Sequence, residues 1–261
     1  MQFRETNGVV THFSHRAGGD GRCPILFLNS LGTDLRIWND VVARLPVDIP
    51  VLRMDKRGHG LTDIGPIDIP TLAADAVALM ESLGVGPALV CGVSVGGMIA
   101  QQIAIARPDL VRALVLSNTG ARIGTAEVWN ERIQAVTADG IEPMAGAILE
   151  RWFSKAFRDG EPEQVGGYRN MLCRTTVEGY AGVSAAIRDT DLSAAVASIA
   201  VPALCVSGSE DLATPVDVVA ALAEAIPGAR HAPIDGVGHL PSIEAPETVA
   251  RLVLEAHAAL G

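Results

Sequence analysis

The segment Gly92-Val93-Ser94-Val95-Gly96 decides how the chain folds and where its chemistry lies. It follows the apolar run Ala88–Val93, which predicts a buried strand, and precedes Val95–Ala106, which predicts a helix. The pattern G-x-S-x-G between a strand and a helix is typical of a sharp, strained turn that exposes a serine hydroxyl. Small neighbours let the helix approach the strand, and its N-terminal N–H groups face a developing negative charge. The segment therefore predicts Ser94 as a nucleophile.

A serine hydroxyl needs a base to take its proton, and His239 is the best candidate among the histidines. It lies in the loop Gly236–Pro241 after the last predicted strand. Asp211 follows the predicted strand Ala203–Ser207 and is the expected acid that orients the imidazole, with Glu210 as its only adjacent competitor. The chain order serine, acid, histidine fits this assignment.

An acyl-transfer site also needs two N–H donors for the tetrahedral oxygen. One is expected from Val95, directly after the nucleophile, and the other from Leu31, in the loop after the apolar run Ile25–Asn29. His59 is a second candidate base. We interpret its loop, Asp55–Gly60, as a structural loop beside the site.

Apolar strand-like runs alternate with helical patterns over most of the chain, which predicts a mostly parallel sheet covered on both faces. The predicted strands are Val9–Phe13 (an outer strand), Ile25–Asn29, Val51–Asp55, Ala88–Val93, Ala113–Ser117 and Ala203–Ser207. The predicted helices are Thr71–Leu83, Val95–Ala106, one beginning at Thr214-Pro215 with Thr214 as N-cap, and Pro246–Ala259. Between them, residues 121–195 predict only helices: Ala126–Ala138, Pro143–Phe157, Glu163–Leu172 and Val177–Arg188. We interpret residues 121–195 as a helical cap inserted into a core of residues 1–120 and 196–261, the whole being one structural unit.

Composition excludes several classes of partner. The chain has 261 residues and a formal net charge of −10, so neither nucleic acid nor an anionic membrane surface is an expected partner. The N-terminus has no apolar signal region, and no stretch is long enough to span a bilayer. The four cysteines show no metal-binding spacing, and Cys91 and Cys205 fall in predicted strands, which favours buried free thiols and a cytoplasmic protein.

Taken together, these motifs resemble the α/β-hydrolase superfamily and, more narrowly, the 3-oxoadipate enol-lactonases. The resemblance covers nearly the whole chain. It is carried by Asn29–Asp34 with Trp38, Asp55–Gly60, Ser117–Thr119, Arg151–Phe153, Glu178–Ala181 and Ala186–Asp191. It implies an α/β-hydrolase fold with a mostly parallel eight-stranded sheet, helices on both faces and an inserted helical cap. It also implies cleavage of a small-molecule lactone, the enol-lactone of the β-ketoadipate pathway of aromatic breakdown, without cofactor or metal.

The implied substrate carries a free carboxylate, which in an acidic protein calls for a basic residue in the cap. Arg188 is a candidate for it, and Trp129 and Trp152 are candidates for walls of the pocket. For each of these three residues, a purely structural role is an equal alternative. The sequence also leaves open a general carboxylesterase, a cofactor-free haloperoxidase-like hydrolase, a small-molecule receptor on the same scaffold, and the formation of a homo-oligomer.

Overall fold

One mostly parallel sheet forms the centre of the molecule. A computed structural model describes residues 1–19 and 21–260, so residues 20 and 261, which the predicted core includes, lie outside the described part. The strands are β1 (Gln2–Thr6), β2 (Val9–Arg16), β3 (Ile25–Leu28), β4 (Val51–Met54), β5 (Ala88–Val93), β6 (Val111–Ser117), β7 (Ala203–Gly208) and β8 (Arg230–Ile234). Their order is β1-β2-β4-β3-β5-β6-β7-β8, with β2 antiparallel to both of its neighbours and all other pairs parallel. The predicted eight-stranded, mostly parallel sheet is confirmed.

Helices cover both faces of this sheet. Successive side chains of a strand point to opposite faces, yet every residue of β3, β5 and β7 is buried, which shows that both faces are covered. The helices are α1 (Asn39–Ala43), α2 (Ile69–Leu83), α3 (Val95–Ala106), α4 (Ala126–Asp139), α5 (Ala145–Trp152), α6 (Lys155–Gly160), α7 (Pro162–Cys173), α8 (Val177–Arg188), α9 (Val216–Ala225), α10 (Pro241–Glu244) and α11 (Pro246–Ala258). Short 3₁₀ turns occur at Leu35–Trp38, Pro108–Leu110, Glu142–Met144 and Val196–Ser198. No helix of the described residues combines the length and the apolar character needed to cross a bilayer.

Helices α4–α8 occupy the chain between β6 and β7, where the sequence predicts only helices. The prediction of one helix over Pro143–Phe157 is wrong. Phe153 is extended, with φ −120° and ψ 140°, and the hydroxyl of Ser154 accepts a hydrogen bond from the Phe157 N–H and so caps the start of α6. A serine that can cap a new helix competes with continuation of the old one.

The N-terminal edge of the sheet also differs from expectation. Val9–Phe13 is not the outer strand, because β1 pairs with β2 on its outer side. The two strands are joined by Asn7-Gly8, both at positive φ (50° and 77°), which is the signature of a tight hairpin turn. Four of the five residues of β1 are exposed, so this edge strand lacks the apolar run that marks the buried strands.

A buried ion pair fixes the loop after β4 to α2. The Arg57 guanidinium donates to both carboxylate oxygens of Asp75, at 2.6 and 2.7 Å. Only 4% and 2% of the two side chains is exposed. Since two charges out of water depend on each other, loss of either one leaves the other uncompensated.

We therefore expect Asp75→Ala to lower the free energy of unfolding by about 3 kcal/mol or more, because it strands the Arg57 charge in the interior. Urea denaturation monitored by circular dichroism measures the change. Asp189→Ala is the matched control, because Asp189 forms an exposed pair with Arg188 and its loss should cost less than about 1 kcal/mol. Equal effects of the two substitutions would contradict the assignment.

Candidate active site

Ser94 lies at a strained turn between β5 and α3. Its backbone has φ 58° and ψ −123°, a conformation that non-glycine residues rarely adopt. The turn is held on both sides: the Ser94 N–H donates to the Ser117 carbonyl at 3.0 Å, and the Ser94 carbonyl accepts from the Thr119 hydroxyl at 2.7 Å. A strained residue so tightly held is typical of a functional site.

The glycines around Ser94 are required by close packing. A Cβ on Gly92 would lie 2.2 Å from the Gly96 carbonyl oxygen, and a Cβ on Gly96 would lie 2.3 Å from the carbonyl oxygen of Leu28. Any side chain at either position would push α3 away from β5 or β3. The G-x-S-x-G pattern is thus a packing requirement of this turn.

Asp211 and His239 form a buried pair, with 2.8 Å between the carboxylate Oδ2 and the imidazole Nδ1. The same oxygen accepts from the Thr214 hydroxyl at 2.6 Å and from the Asn118 amide at 2.8 Å. Burial alone would raise the pKa of Asp211, but His239 and these hydrogen bonds hold it below its ordinary value. The acid therefore stays ionised.

Thr214 is not a helix N-cap as predicted, because its hydroxyl donates to Asp211 and Pro215 occupies the cap position.

The backbone of the histidine loop is tied to the cap. The Trp152 carbonyl accepts from the His239 N–H at 2.8 Å. The Glu244 carboxylate accepts from the Gly238 N–H at 3.0 Å and from the hydroxyl and N–H of Ser154. Burial raises the pKa of Glu244, although these hydrogen bonds oppose the shift. The position of His239 thus depends on where α5 ends and α6 begins.

Ser94 and His239 open into a small cavity of about 50 Å³ under the cap. The other residues that line it are Ser30, Leu31, Ile123, Gly124, Val128, Trp129, Arg132, Ile148, Arg151, Trp152, Tyr180 and Ala213. Most of these walls are apolar or aromatic, and the cationic groups are the guanidinium groups of Arg132 and Arg151. Apolar and aromatic walls with a few polar groups are typical of a small-molecule site, and the two guanidinium groups suit a substrate that carries an anionic group.

Both predicted oxyanion donors are close to the nucleophile, Val95 as the next residue in the chain and Leu31 in the lining of the same cavity. Val95 is the first residue of α3, so its N–H has no partner within the helix. Leu31 lines the cavity with Ser94, and in the described part of the chain its N–H donates to no other group. His59 lies behind this loop as a buried side chain whose Nε2 accepts from the Gly32 N–H at 3.0 Å. That supports the interpretation of the His59 loop as structural.

Trp129 and Trp152 both line the cavity, as the sequence suggested, whereas Arg188 does not. The Arg188 guanidinium donates to Asp189 and to Asn130 outside the cavity, so its prediction as a substrate ligand is wrong. Sequence reasoning missed Arg132 and Arg151. Their signal was present: Arg132 follows Trp129 by three residues on one helix face, and Arg151 adjoins Trp152.

A larger cavity, of about 620 Å³, lies beneath the β1–β2 hairpin. It contains a second histidine–aspartate pair, His12 and Asp55, at 2.7 Å. The serine that lines it, Ser14, lies within regular strand β2 and accepts from Arg53. The volume of a cavity therefore does not identify the active site. The strained backbone of Ser94 indicates that the smaller cavity is the candidate active site.

Comparison with known proteins agrees with this geometry. Residues 24–246 match the family model described as the alpha/beta hydrolase fold. A 3-oxoadipate enol-lactonase from Acinetobacter baylyi is 35% identical over 201 residues, which cover 76% of this chain and 75% of that protein. A second one from the same organism is 32% identical over 93% of this chain and 91% of its own length. The crystal structure of the enol-lactonase from Burkholderia xenovorans superposes with a TM-score of 0.93 at 36% identity, covering 97% of this chain and 98% of that one.

We expect Asp211→Asn to lower kcat for ester hydrolysis about 10⁴-fold, because the amide favours the wrong tautomer of His239. Hydrolysis of p-nitrophenyl acetate measures the effect. Glu210→Gln is the matched control: the adjacent carboxylate is exposed, and its loss should leave kcat unchanged. Similar losses in both variants would show that Asp211 is not the orienting acid.

Proposed function

The chain belongs to the α/β-hydrolase family, and we propose that it is an enol-lactonase, a carboxylic ester hydrolase that opens the ring of 3-oxoadipate enol-lactone. The proposal rests on the cavity, which joins a strained serine and a histidine–aspartate pair to two cationic side chains. The names of the related enzymes support the same substrate. The reaction belongs to the β-ketoadipate pathway of aromatic breakdown.

In the first step, the Ser94 hydroxyl attacks the lactone carbonyl while His239 takes its proton. The developing oxyanion accepts hydrogen bonds from the N–H groups of Leu31 and Val95. Asp211 holds the imidazole in the tautomer that accepts the proton and stabilises the imidazolium that forms. The ionised state of Asp211, held by its hydrogen bonds, is the state this role requires.

Collapse of the tetrahedral intermediate breaks the ring C–O bond. The leaving group is an enolate, which is more stable than a simple alkoxide, and it takes the proton from the imidazolium of His239. The enol then tautomerises to a ketone, which makes ring opening hard to reverse. His239 next takes a proton from water, which attacks the acyl carbonyl on Ser94. The bond between the acyl carbon and the Ser94 Oγ then breaks, Oγ takes the proton back from the imidazolium, and the second carboxylate of 3-oxoadipate is released.

Arg132 and Arg151 are the observation that carries the substrate assignment. Neither makes an ion pair with a carboxylate in the described part of the chain, and the buried Nε of Arg151 has no hydrogen-bond partner there. Burial, with Arg132 nearby, lowers the pKa of Arg151. The Arg132 guanidinium lies 5.1 Å from the centre of the Trp129 ring, which helps to hold it in place. Two cations beside an esterase nucleophile suit an ester that also carries a free carboxylate.

The direct test generates the enol-lactone in situ from its muconolactone precursor and follows the loss of its ultraviolet absorbance. We expect rapid loss with the wild-type protein and none above background with Ser94→Ala, because no nucleophile remains. If the wild-type protein hydrolyses p-nitrophenyl acetate but does not open the lactone, its assignment as a serine hydrolase stands. The lactonase assignment would then be overturned in favour of a general carboxylesterase.

Charge recognition has a separate test. We expect Arg151→Met to lower kcat/KM for the enol-lactone about 10- to 100-fold, because it removes a charge-assisted hydrogen bond to the substrate carboxylate. The neutral ester p-nitrophenyl acetate should be hydrolysed as before. Arg188→Met is the matched control and should affect neither substrate. An equal loss on both substrates with Arg151→Met would mean that this arginine serves the fold or the nucleophile instead.

A further inference from the structure

A buried lysine binds the peptide unit between Ser30 and Leu31 by a hydrogen bond to its carbonyl. The Lys56 ammonium donates to the Ser30 carbonyl at 2.5 Å and to the Thr33 carbonyl at 3.2 Å. Only 4% of Lys56 is exposed, and in the described part of the chain it makes no ion pair with a carboxylate. Burial of an ammonium that only backbone carbonyls bind costs desolvation free energy, which indicates a role beyond filling space.

The next peptide unit, between Leu31 and Gly32, is held from the other side. Its N–H donates to Nε2 of His59, whose Nδ1 lies 3.1 Å from the Arg57 carbonyl. An imidazole that accepts at Nε2 carries its proton at Nδ1 and is neutral. Burial, followed by the nearby Lys56 charge, keeps the pKa of His59 well below its ordinary value and so maintains this state. Both peptide units that flank the Leu31 Cα are therefore fixed by side chains of the loop after β4.

We propose that Lys56 and His59 are positioning residues for the oxyanion hole, with Lys56 both aiming and polarising the Leu31 N–H. In a trans peptide, the carbonyl and the N–H of one unit point in opposite directions. An ammonium that holds the Ser30 carbonyl therefore directs the Leu31 N–H away from itself, and Leu31 lines the cavity together with Ser94. This inference rests on the proposed function, because it assigns Leu31 to the oxyanion of the acyl-transfer reaction.

The charge on Lys56 matters beyond its geometry. Charge-assisted hydrogen bonds are about twice as strong as neutral ones, and hydrogen bonds in series polarise one another. Withdrawal of electron density through the Ser30 carbonyl makes the N–H of the same unit a better donor to an oxyanion. The ionisable groups around the ammonium are Asp55 and Asp34, which favour its charge, and the neutral His59.

Burial lowers the pKa of Lys56 to about 7, and the neighbouring Asp55 and Asp34 limit the shift. The group is thus charged below that value and loses its charge as the pH rises through it. The Leu31 N–H should lose polarisation over the same range, so the state of Lys56 can be read at the peptide unit itself.

The sequence permits an unusually selective measurement. Only two serine–leucine pairs occur in the chain, Ser30-Leu31 and Ser82-Leu83, and only two lysines, Lys56 and Lys155. Labelling with carbonyl-¹³C serine and ¹⁵N leucine therefore gives two signals in an HNCO spectrum, and labelling with ε-¹³C lysine gives two lysine signals. Ser82-Leu83 and Lys155 serve as internal references.

We expect the Ser30 carbonyl and Leu31 amide signals to shift together with pH, with the same midpoint as the Lys56 signal, near 7. That shift should disappear in Lys56→Met. A Ser30-Leu31 signal that does not follow the Lys56 titration, or that titrates identically in the variant, would overturn the proposal. This readout needs no turnover and so does not depend on the proposed substrate.

Kinetics supply the second readout. Lys56→Met should lower kcat about 10- to 100-fold with KM unchanged, on both the enol-lactone and p-nitrophenyl acetate, because an oxyanion donor acts in the transition state. Lys155→Met makes the same change in a surface residue and should leave both constants unchanged. A rise in KM at constant kcat would overturn the positioning role. If the wild type does not open the lactone, the proposed function fails, while the p-nitrophenyl acetate and NMR results still decide the role of Lys56.

Discussion

The positive φ angle of Ser94 is the constraint to which the rest of the site is fitted. A non-glycine residue in such a conformation costs on the order of 1–3 kcal/mol and persists only when its surroundings hold it. Here the surroundings are β6, whose Ser117 carbonyl accepts from the Ser94 N–H, and α3, which begins at Val95 against the backbone of β3. Because β6 and α3 are buried parts of the core, the stability of the whole fold offsets the strain of the Ser94 backbone. The Ser94 hydroxyl therefore stays where the turn directs it.

Parallel strands explain why so many separate loops meet at Ser94. The carboxyl ends of β3 to β8 lie along one edge of the sheet, so each following loop contributes there: Leu31, the Asp55–Gly60 loop, Asn118, Asp211 and His239. The cap joins this arrangement through the break between α5 and α6. Since α5 ends at Trp152, its terminal carbonyl has no partner within the helix and is free to accept from the His239 N–H. A continuous helix would have used that carbonyl internally.

The sequence predicted the buried strands and the strained turn at Ser94 well, because these depend on local patterns: unbroken apolar runs and glycines at fixed spacing. It failed where tertiary contacts choose between local alternatives. Thr214 is a good helix cap, but the buried Asp211 carboxylate nearby competes for its hydroxyl. Arg188 and Arg132 carry the same guanidinium group, but the rotation of each cap helix decides which of the two faces the cavity. That rotation depends on packing between the helices, which no single helix encodes.

The charge of the whole chain and the charge of the cavity have opposite signs. A net charge of −10 governs solubility and repels polyanions at long range, but solvent and salt screen it over about 10 Å. Inside the cavity, screening is weak, and the nearest cations dominate. Burial is the main cause of the lowered pKa of Arg151, and repulsion by the nearby Arg132 charge lowers that pKa further. An anionic group that binds beside both guanidinium groups offsets that repulsion, so the cavity favours a small anion although the chain as a whole repels polyanions.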